Sequence, residues 1–192
     1  GLYSSATGIV NSEKKSIEKA IKKVWASLWS YEAFSERTYF NINHRDAFMG
    51  ILVHRSFPDE EVNGVAITKN LYRSDNYGFV VNAQKGNESV VKPKEGLICD
   101  QFVCYSDKSA SLYKDKNTIN IITQSNLSDD SKLLMTAEEI RTLANQLEAI
   151  KNHYYYQSIT SKPYVDYALD IEFKLENNTR ALYIKQVRLF NQ

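Results

Sequence analysis

Between residues 13 and 39 the apolar positions return at helical spacing, with Ile17, Ala20, Ile21, Val24 and Leu28 on one face. The spacing predicts a helix from about Glu13 to Tyr39, with Ser12 able to cap its start and Glu13 in its first turn. Lys14, Lys15, Lys19, Lys22 and Lys23 fill the other face. That basic stripe reads either as a seat for an anionic partner or as a solvated helix face. Trp25 and Trp29 are expected in the core or at a subdomain interface.

From Met49 onward the period shortens. "MGILVHRSF", "NGVAITKN", "YGFVVNA" and "LICDQFVCY" are short runs rich in β-branched residues and bounded by Pro, Gly, Asn and Asp, which predicts strands. "INIITQ", residues 119–124, predicts another, and the intervening "SDKSASLYKDKN" reads as loop or hairpin. Thr136 and Glu139 form a capping box that opens a second helix. Ile140, Leu143, Ala144, Leu147, Ile150 and Tyr154 then make one apolar stripe, read as core, and the Tyr154-Tyr155-Tyr156 run as packing at the helix end. The last segment predicts a hairpin: Ala168 to Leu175, a Glu-Asn-Asn-Thr turn, then Ala181 to Phe190. The pattern is that of an α+β protein, and no repeat, low-complexity tract or clear interdomain linker interrupts it.

Composition adds bounds. The chain has 192 residues, 43% hydrophobic and 24% charged, enough for a buried core in one medium or two small domains. The formal net charge of +1 points to neither a nucleic acid nor a membrane surface as partner. No apolar run approaches the roughly 18 residues that span a bilayer, and the first ten residues lack the pattern of a secretory signal. Cys99 and Cys104 lie an odd number of positions apart in one expected strand, hence on opposite faces, which disfavours a disulfide between them. Reduced cysteines fit a cytoplasmic setting. His44, His54 and His153 show no metal-ligand spacing to either cysteine.

The chemistry concentrates in the final hairpin. Asp170 and Glu172 are two apart, so on a strand their carboxylates share a face, and Gln186 and Arg188 stand in the same relation on the next strand. Two carboxylates and an amide oxygen suit Mg²⁺, and an arginine beside them can bind a phosphoryl group bidentately. Metal and cation charge around a phosphate is what phosphoryl transfer needs. The same alternation is also what the solvent face of an ordinary hairpin looks like, and Lys174, Glu176 and Lys185 supply ordinary surface charge.

"LDIEF…LYIKQVR" resembles the closing motif, roughly "DIEWA…LYILQARP", of the nucleotide-binding domain of the phosphoenolpyruvate synthase and pyruvate, phosphate dikinase family. The resemblance implies that Asp170, Glu172 and Gln186 belong to a Mg·ATP site and that Arg188 contacts ATP phosphates. Leu189 departs from it, standing where the family has proline. "IKKVWASLWSYEAFSER" is similar to the family helix "KKVWASLFTERAISYR", with Arg37 at the matching arginine. "NGVAITKN" resembles "SGVMFTRNP", with Lys69 for the arginine. "VVNAQKGNESVV" is similar to "INAQGEDVV", which puts Glu88 on the family glutamate. "MGILVHRSF" takes the place of a strand lining the adenine pocket. His54 there reads equally as an adenine contact or as a half-buried strand histidine.

The resemblance covers nearly the whole chain in order. It implies an ATP-grasp-like lobe with a mostly antiparallel sheet flanked by two main helices. In that family ATP is clamped between two lobes, and a histidine on a separate swivelling domain is phosphorylated. Residues matching the front lobe, the phosphohistidine domain and the pyruvate-binding barrel do not occur in these 192 positions. The expectation is therefore a partial ATP- and Mg²⁺-binding domain, with ATP and the missing domains as partners and little catalysis alone. A degenerate, non-catalytic nucleotide-binding or interaction module is the alternative, favoured by Leu189, His54 and Lys69. The opening "GLYSSATGIV" matches the family's "GQQETFLNV" in spacing better than its "RSSAT" loop, with Thr7 close to the threonine. On that alignment the phosphate-binding arginine belongs upstream of Gly1.

Overall fold

A computed structural model of the chain describes residues 2–56, 59–73, 77–91, 93–112, 119–128 and 132–190. The chain divides into two compact units, Gly1–Ser56 and Phe57–Gln192.

In the first unit the expected long helix is divided. Helix α1 spans Ile17–Ala26, a 3-10 turn Ser27–Trp29 follows, and α2 spans Tyr31–Tyr39. Ser30 causes the break: it takes extended geometry (ψ 157°), and its side chain accepts the Ala33 amide, starting a new helix. The first helix likewise begins later than expected. Ser16, not Ser12, accepts the Lys19 amide, at 3.2 Å. α1 buries none of its residues, and Trp25 and Trp29 are 53% and 57% exposed rather than in a core. The strand expected over "MGILVHRSF" does not form in the described residues 49–56, and Phe57 lies outside them. β-branched runs become strands only where a neighbour supplies ladder partners, and the described residues of this unit contain no strand.

The larger unit is built on one six-stranded sheet. Its strands are β1 (Glu60–Ile67), β2 (Phe79–Lys85), β3 (Asp100–Cys104), β4 (Asn120–Thr123), β5 (Leu169–Glu176) and β6 (Leu182–Leu189). Their order is β4-β3-β2-β1-β5-β6, and every neighbouring pair is antiparallel. This is the antiparallel α+β architecture the sequence predicts. Two helices join it, α3 (Asp107–Leu112) and α4 (Ala137–Gln157). α3 falls in the segment expected as loop or hairpin. Side chains of α4 fix its first turn: Arg141 Nε lies 2.8 Å from Asp107 Oδ1, and Asn145 Oδ1 accepts the Asp107 amide at 2.9 Å. Residues 113–117 of that segment lie outside the described set. Among the described residues α4 supplies the helical side of the large core, and the first helix belongs to the other unit.

Alternation in β5 determines which face is which. Leu169, Ile171, Phe173 and Leu175 are buried and pack with Ile140, Leu143, Ala144 and Leu147 of α4, while Asp170, Glu172, Lys174 and Glu176 point the other way. Burying each of those large side chains contributes about 1.5–3 kcal/mol. Both parts of the capping box at Thr136 and Glu139 are formed. Gly64 faces the same core, opposite Phe173 on β5 and Ala83 on β2. A Cβ there would stand 2.2 Å from Phe173 Cζ. Gly64→Ala is therefore expected to destabilise by about 1–3 kcal/mol through overpacking, read as a lower urea midpoint. An unchanged midpoint would refute the packing account.

At the C-terminal half of α4 two residues of opposite charge, Glu148 and Lys151, are buried. Lys151 donates from Nζ to the Thr68 carbonyl at 2.8 Å and lies 4.9 and 4.7 Å from the ring centroids of Tyr77 and Tyr164. Burial lowers its ammonium to about 8, against the opposing pull of Glu148. Burial also pushes the Tyr77 and Tyr164 phenols above their ordinary range. An unfolded lysine holds its proton up to its ordinary value of 10.5. Above about pH 8 the unfolded chain thus binds more protons than the folded one, and stability rises with pH. Near pH 10 and above, unfolded tyrosines lose protons that the folded ones keep, and stability falls again. Urea unfolding at pH 7, 9.5 and 11 is expected to give its highest midpoint at 9.5. A midpoint that falls from pH 7 to 9.5 would contradict this.

Candidate functional site

The β5–β6 hairpin pairs Asp170 with Arg188 and Glu172 with Gln186. The register shifts by one between Glu172 and Phe173, because Phe173 faces Ile184 and leaves Lys185 as an extra residue on β6. This bulge lets Ile184 and Val187, three apart, both pack on the α4 side, while Gln186 and Arg188 remain opposite the acids.

The four side chains form one cluster. Arg188 Nε donates to Asp170 Oδ2 at 2.7 Å, and its Nη2 lies 3.6 Å from Glu172 Oε1. The hydrogen bond to Asp170 and its charge push the guanidinium further above the ordinary arginine value. The Asp170 side chain is 17% exposed and that of Glu172 44%. Asp170 Oδ1 is buried with no hydrogen-bond partner. A buried acceptor left unmade costs about 1–3 kcal/mol, more when charged, and a hard cation would relieve that cost. Among the described residues no three His, Cys, Asp or Glu side chains form a metal-holding group, so the oxygen set here is two carboxylates and the Gln186 amide.

The cluster borders an apolar strip on the same face. Asp170 lies beside Ile67, which faces Val80; Glu172 lies beside Val65, which faces Asn82. Asn82 Oδ1 is also buried and unpartnered. Sequence reasoning missed Asn82, and its signal is slight: a lone amide among the valines and alanine of "VVNA".

Lys69 and Glu88, in the same unit, each have another charged partner. Lys69, just past β1, pairs through Nζ with Asp166 Oδ1 at 2.8 Å rather than with the acids of β5. Glu88 pairs with Lys94 at 2.5 Å, and its carbonyl accepts from Asn63 Nδ2 at 2.8 Å. Asn63 faces Lys174, two residues along β5 from Glu172. Thr7, Arg37 and His54 belong to the first unit. Thr7 is exposed. His54 is exposed too, with Nδ1 2.8 Å from the Arg55 carbonyl. Arg37 is buried and bonded to His44, a partner that sequence reasoning did not assign.

An antiparallel sheet that offers one face to a helix, and on the other sets paired carboxylates and an arginine beside an apolar strip, accords with the class of ATP-grasp-like nucleotide-binding lobes. A family model described as the pyruvate phosphate dikinase AMP/ATP-binding domain matches residues 1–192, and the chain belongs to that family. This domain is the nucleotide-binding part of dikinase-type enzymes and takes AMP or ATP. No curated protein matches the chain. Among the described residues no helix is long and apolar enough to cross a membrane.

Proposed function

We propose that the chain is the Mg·ATP-binding portion of a phosphoenolpyruvate synthase-like phosphotransferase, one that phosphorylates a histidine on another domain. The observation that carries this reading is the hairpin register, which sets Asp170 against Arg188 and Glu172 against Gln186. Asp170, Glu172 and the Gln186 amide oxygen would hold Mg²⁺, which supplies charge neutralisation to the phosphates when bound. Arg188 would take phosphoryl oxygens through its guanidinium edge. Val65 and Ile67 offer apolar contact beside the acids. Glu88, Lys69, Arg37, His54 and Thr7 are proposed as further nucleotide contacts from the family resemblance. Alone the chain is expected to bind nucleotide weakly and to turn over little.

A second reading is a nucleotide-binding module without phosphoryl transfer. The Lys69–Asp166 pair favours it, because that pair ties up the cation standing at the family's arginine position. Calorimetric titration with ATP, with Mg²⁺ and then with excess chelator, tests the first reading. Affinity that falls on chelation supports it; no ATP binding, or binding indifferent to Mg²⁺, overturns it. ATP-dependent phosphorylation of a histidine in the full-length parent separates the two.

A further inference from the structure

Arg37 is 4% exposed, on α2. Its Nε donates to His44 Nδ1 at 3.2 Å, and its Cζ lies 5.4 Å from the centroid of the Trp29 ring. Nη1 and Nη2 are buried without a hydrogen-bond partner. A guanidinium has five donors and no acceptor, so two buried nitrogens with nothing to bond are an unmet demand for an oxyanion.

His44 comes to Arg37 on a 3-10 turn, His44–Asp46, capped by Asn43, whose side chain accepts the Arg45 amide at 3.1 Å. Its ring stacks on Phe34, with centroids 3.9 Å apart and planes 6° from parallel. Its Nε2 lies 3.3 Å from Thr38 Oγ1. Arginine can only donate, so His44 Nδ1 is the bare nitrogen and the ring proton sits on Nε2. That proton goes to Thr38 Oγ1, whose own hydrogen goes to the Phe34 carbonyl at 3.0 Å. The donors therefore run one way, from Arg37 through His44 and Thr38 to the main chain. Each member fixes the orientation of the one before it.

We propose that His44 is a positioning residue for Arg37: as the neutral Nε2–H tautomer it anchors the guanidinium by Nε and leaves the Nη pair as a preset fork for a phosphate oxyanion. This rests on the nucleotide reading above. Without the anchor, a long flexible side chain must be ordered by the ligand itself, which weakens binding. The anchor also leaves the Nη1–Nη2 edge, which can make two parallel bonds, for the anion.

Titration of Mg·ATP into the wild-type chain, His44→Asn and His44→Leu, with thermal unfolding of each, tests the proposal. Asparagine can set an amide oxygen near the place of Nδ1, so His44→Asn is expected to bind within about threefold of wild type. His44→Leu is expected to bind at least ~tenfold more weakly, as for a lost hydrogen bond to a charged group. The ¹⁵N spectrum of the wild-type histidine rings is expected to show His44 bare at Nδ1 and protonated at Nε2, a readout that holds even if the leucine variant fails to fold. Equal binding by all three chains, an equal loss in both variants, or a proton on Nδ1 overturns the proposal while leaving the nucleotide reading intact. A wild-type chain that binds neither Mg·ATP nor inorganic phosphate overturns both.

Discussion

Glu172→Ala is expected to weaken Mg²⁺-dependent ATP binding by about 10–100-fold or more, the cost typical of losing even an outer-shell partner of a metal. Melting should hardly change. Glu172 is the clean test because its side chain is 44% exposed and meets Arg188 at the longer distance of 3.6 Å. Changes at such exposed positions usually move stability by less than about 0.5 kcal/mol. Asp170 is the poorer probe: it holds Arg188 at 2.7 Å and keeps a buried oxygen, so its loss mixes folding with binding. ATP affinity in excess Mg²⁺ that does not change in Glu172→Ala would remove Glu172 from the site. A stability loss of ~2–5 kcal/mol, the size of a core deletion, would make it structural instead.

The largest expected loss of stability lies elsewhere, at Glu148→Ala. The Glu148 carboxylate receives the Tyr164 hydroxyl at 2.6 Å, the Tyr77 hydroxyl at 3.0 Å and the Ser106 hydroxyl at 3.0 Å. It also supplies the negative charge that opposes the burial of Lys151. Truncation removes a shared acceptor from three hydroxyls and takes away the largest negative charge that opposes the burial of the Lys151 ammonium. Leaving a buried charge without its opposing charge costs up to about 3–5 kcal/mol. The double variant Glu148→Leu with Lys151→Met is expected to recover part of that loss, because removing both charges removes the desolvation penalty. Urea unfolding of the two variants checks the pair. A Glu148→Ala loss below about 1 kcal/mol, or a double variant worse than the single, would mean that the charges are not coupled.

What could be read from the sequence follows from which signals are local. The capping box at Thr136, the apolar stripe of α4 from Ile140 to Ile150 and the alternation of β5 need only neighbouring residues and stand where they were expected, whereas Tyr154, read with that stripe as core, is 43% exposed. The pairing of Asp170 and Glu172 with Arg188 and Gln186 was legible because a hairpin brings near what is near in sequence. The break at Ser30 was not, since a serine competing for an amide costs little in a helical pattern until it wins. The strand expected over residues 49–57 does not form in residues 49–56, where the described residues of the unit offer no neighbouring strand, which no local pattern can reveal. The Arg37–His44 contact spans seven positions across a helix end, and the tryptophans of α1 and its following turn, 53% and 57% exposed, read as core or interface residues by type alone.

The extra residue at Lys185 gives β6 one position of slack. Strict alternation counted from the turn would seat Gln186 and Arg188 against α4, among the apolar residues. The bulge absorbs one count and returns them to the acids. If Lys185 is removed, Ile184 still faces Phe173, Gln186 still faces Glu172 and Arg188 still faces Asp170, now in an unbroken ladder. Length variation in this strand can therefore be taken up at position 185 without disturbing the cluster. A residue gained or lost between Gln186 and Arg188 has no such refuge and turns the arginine away from its carboxylates.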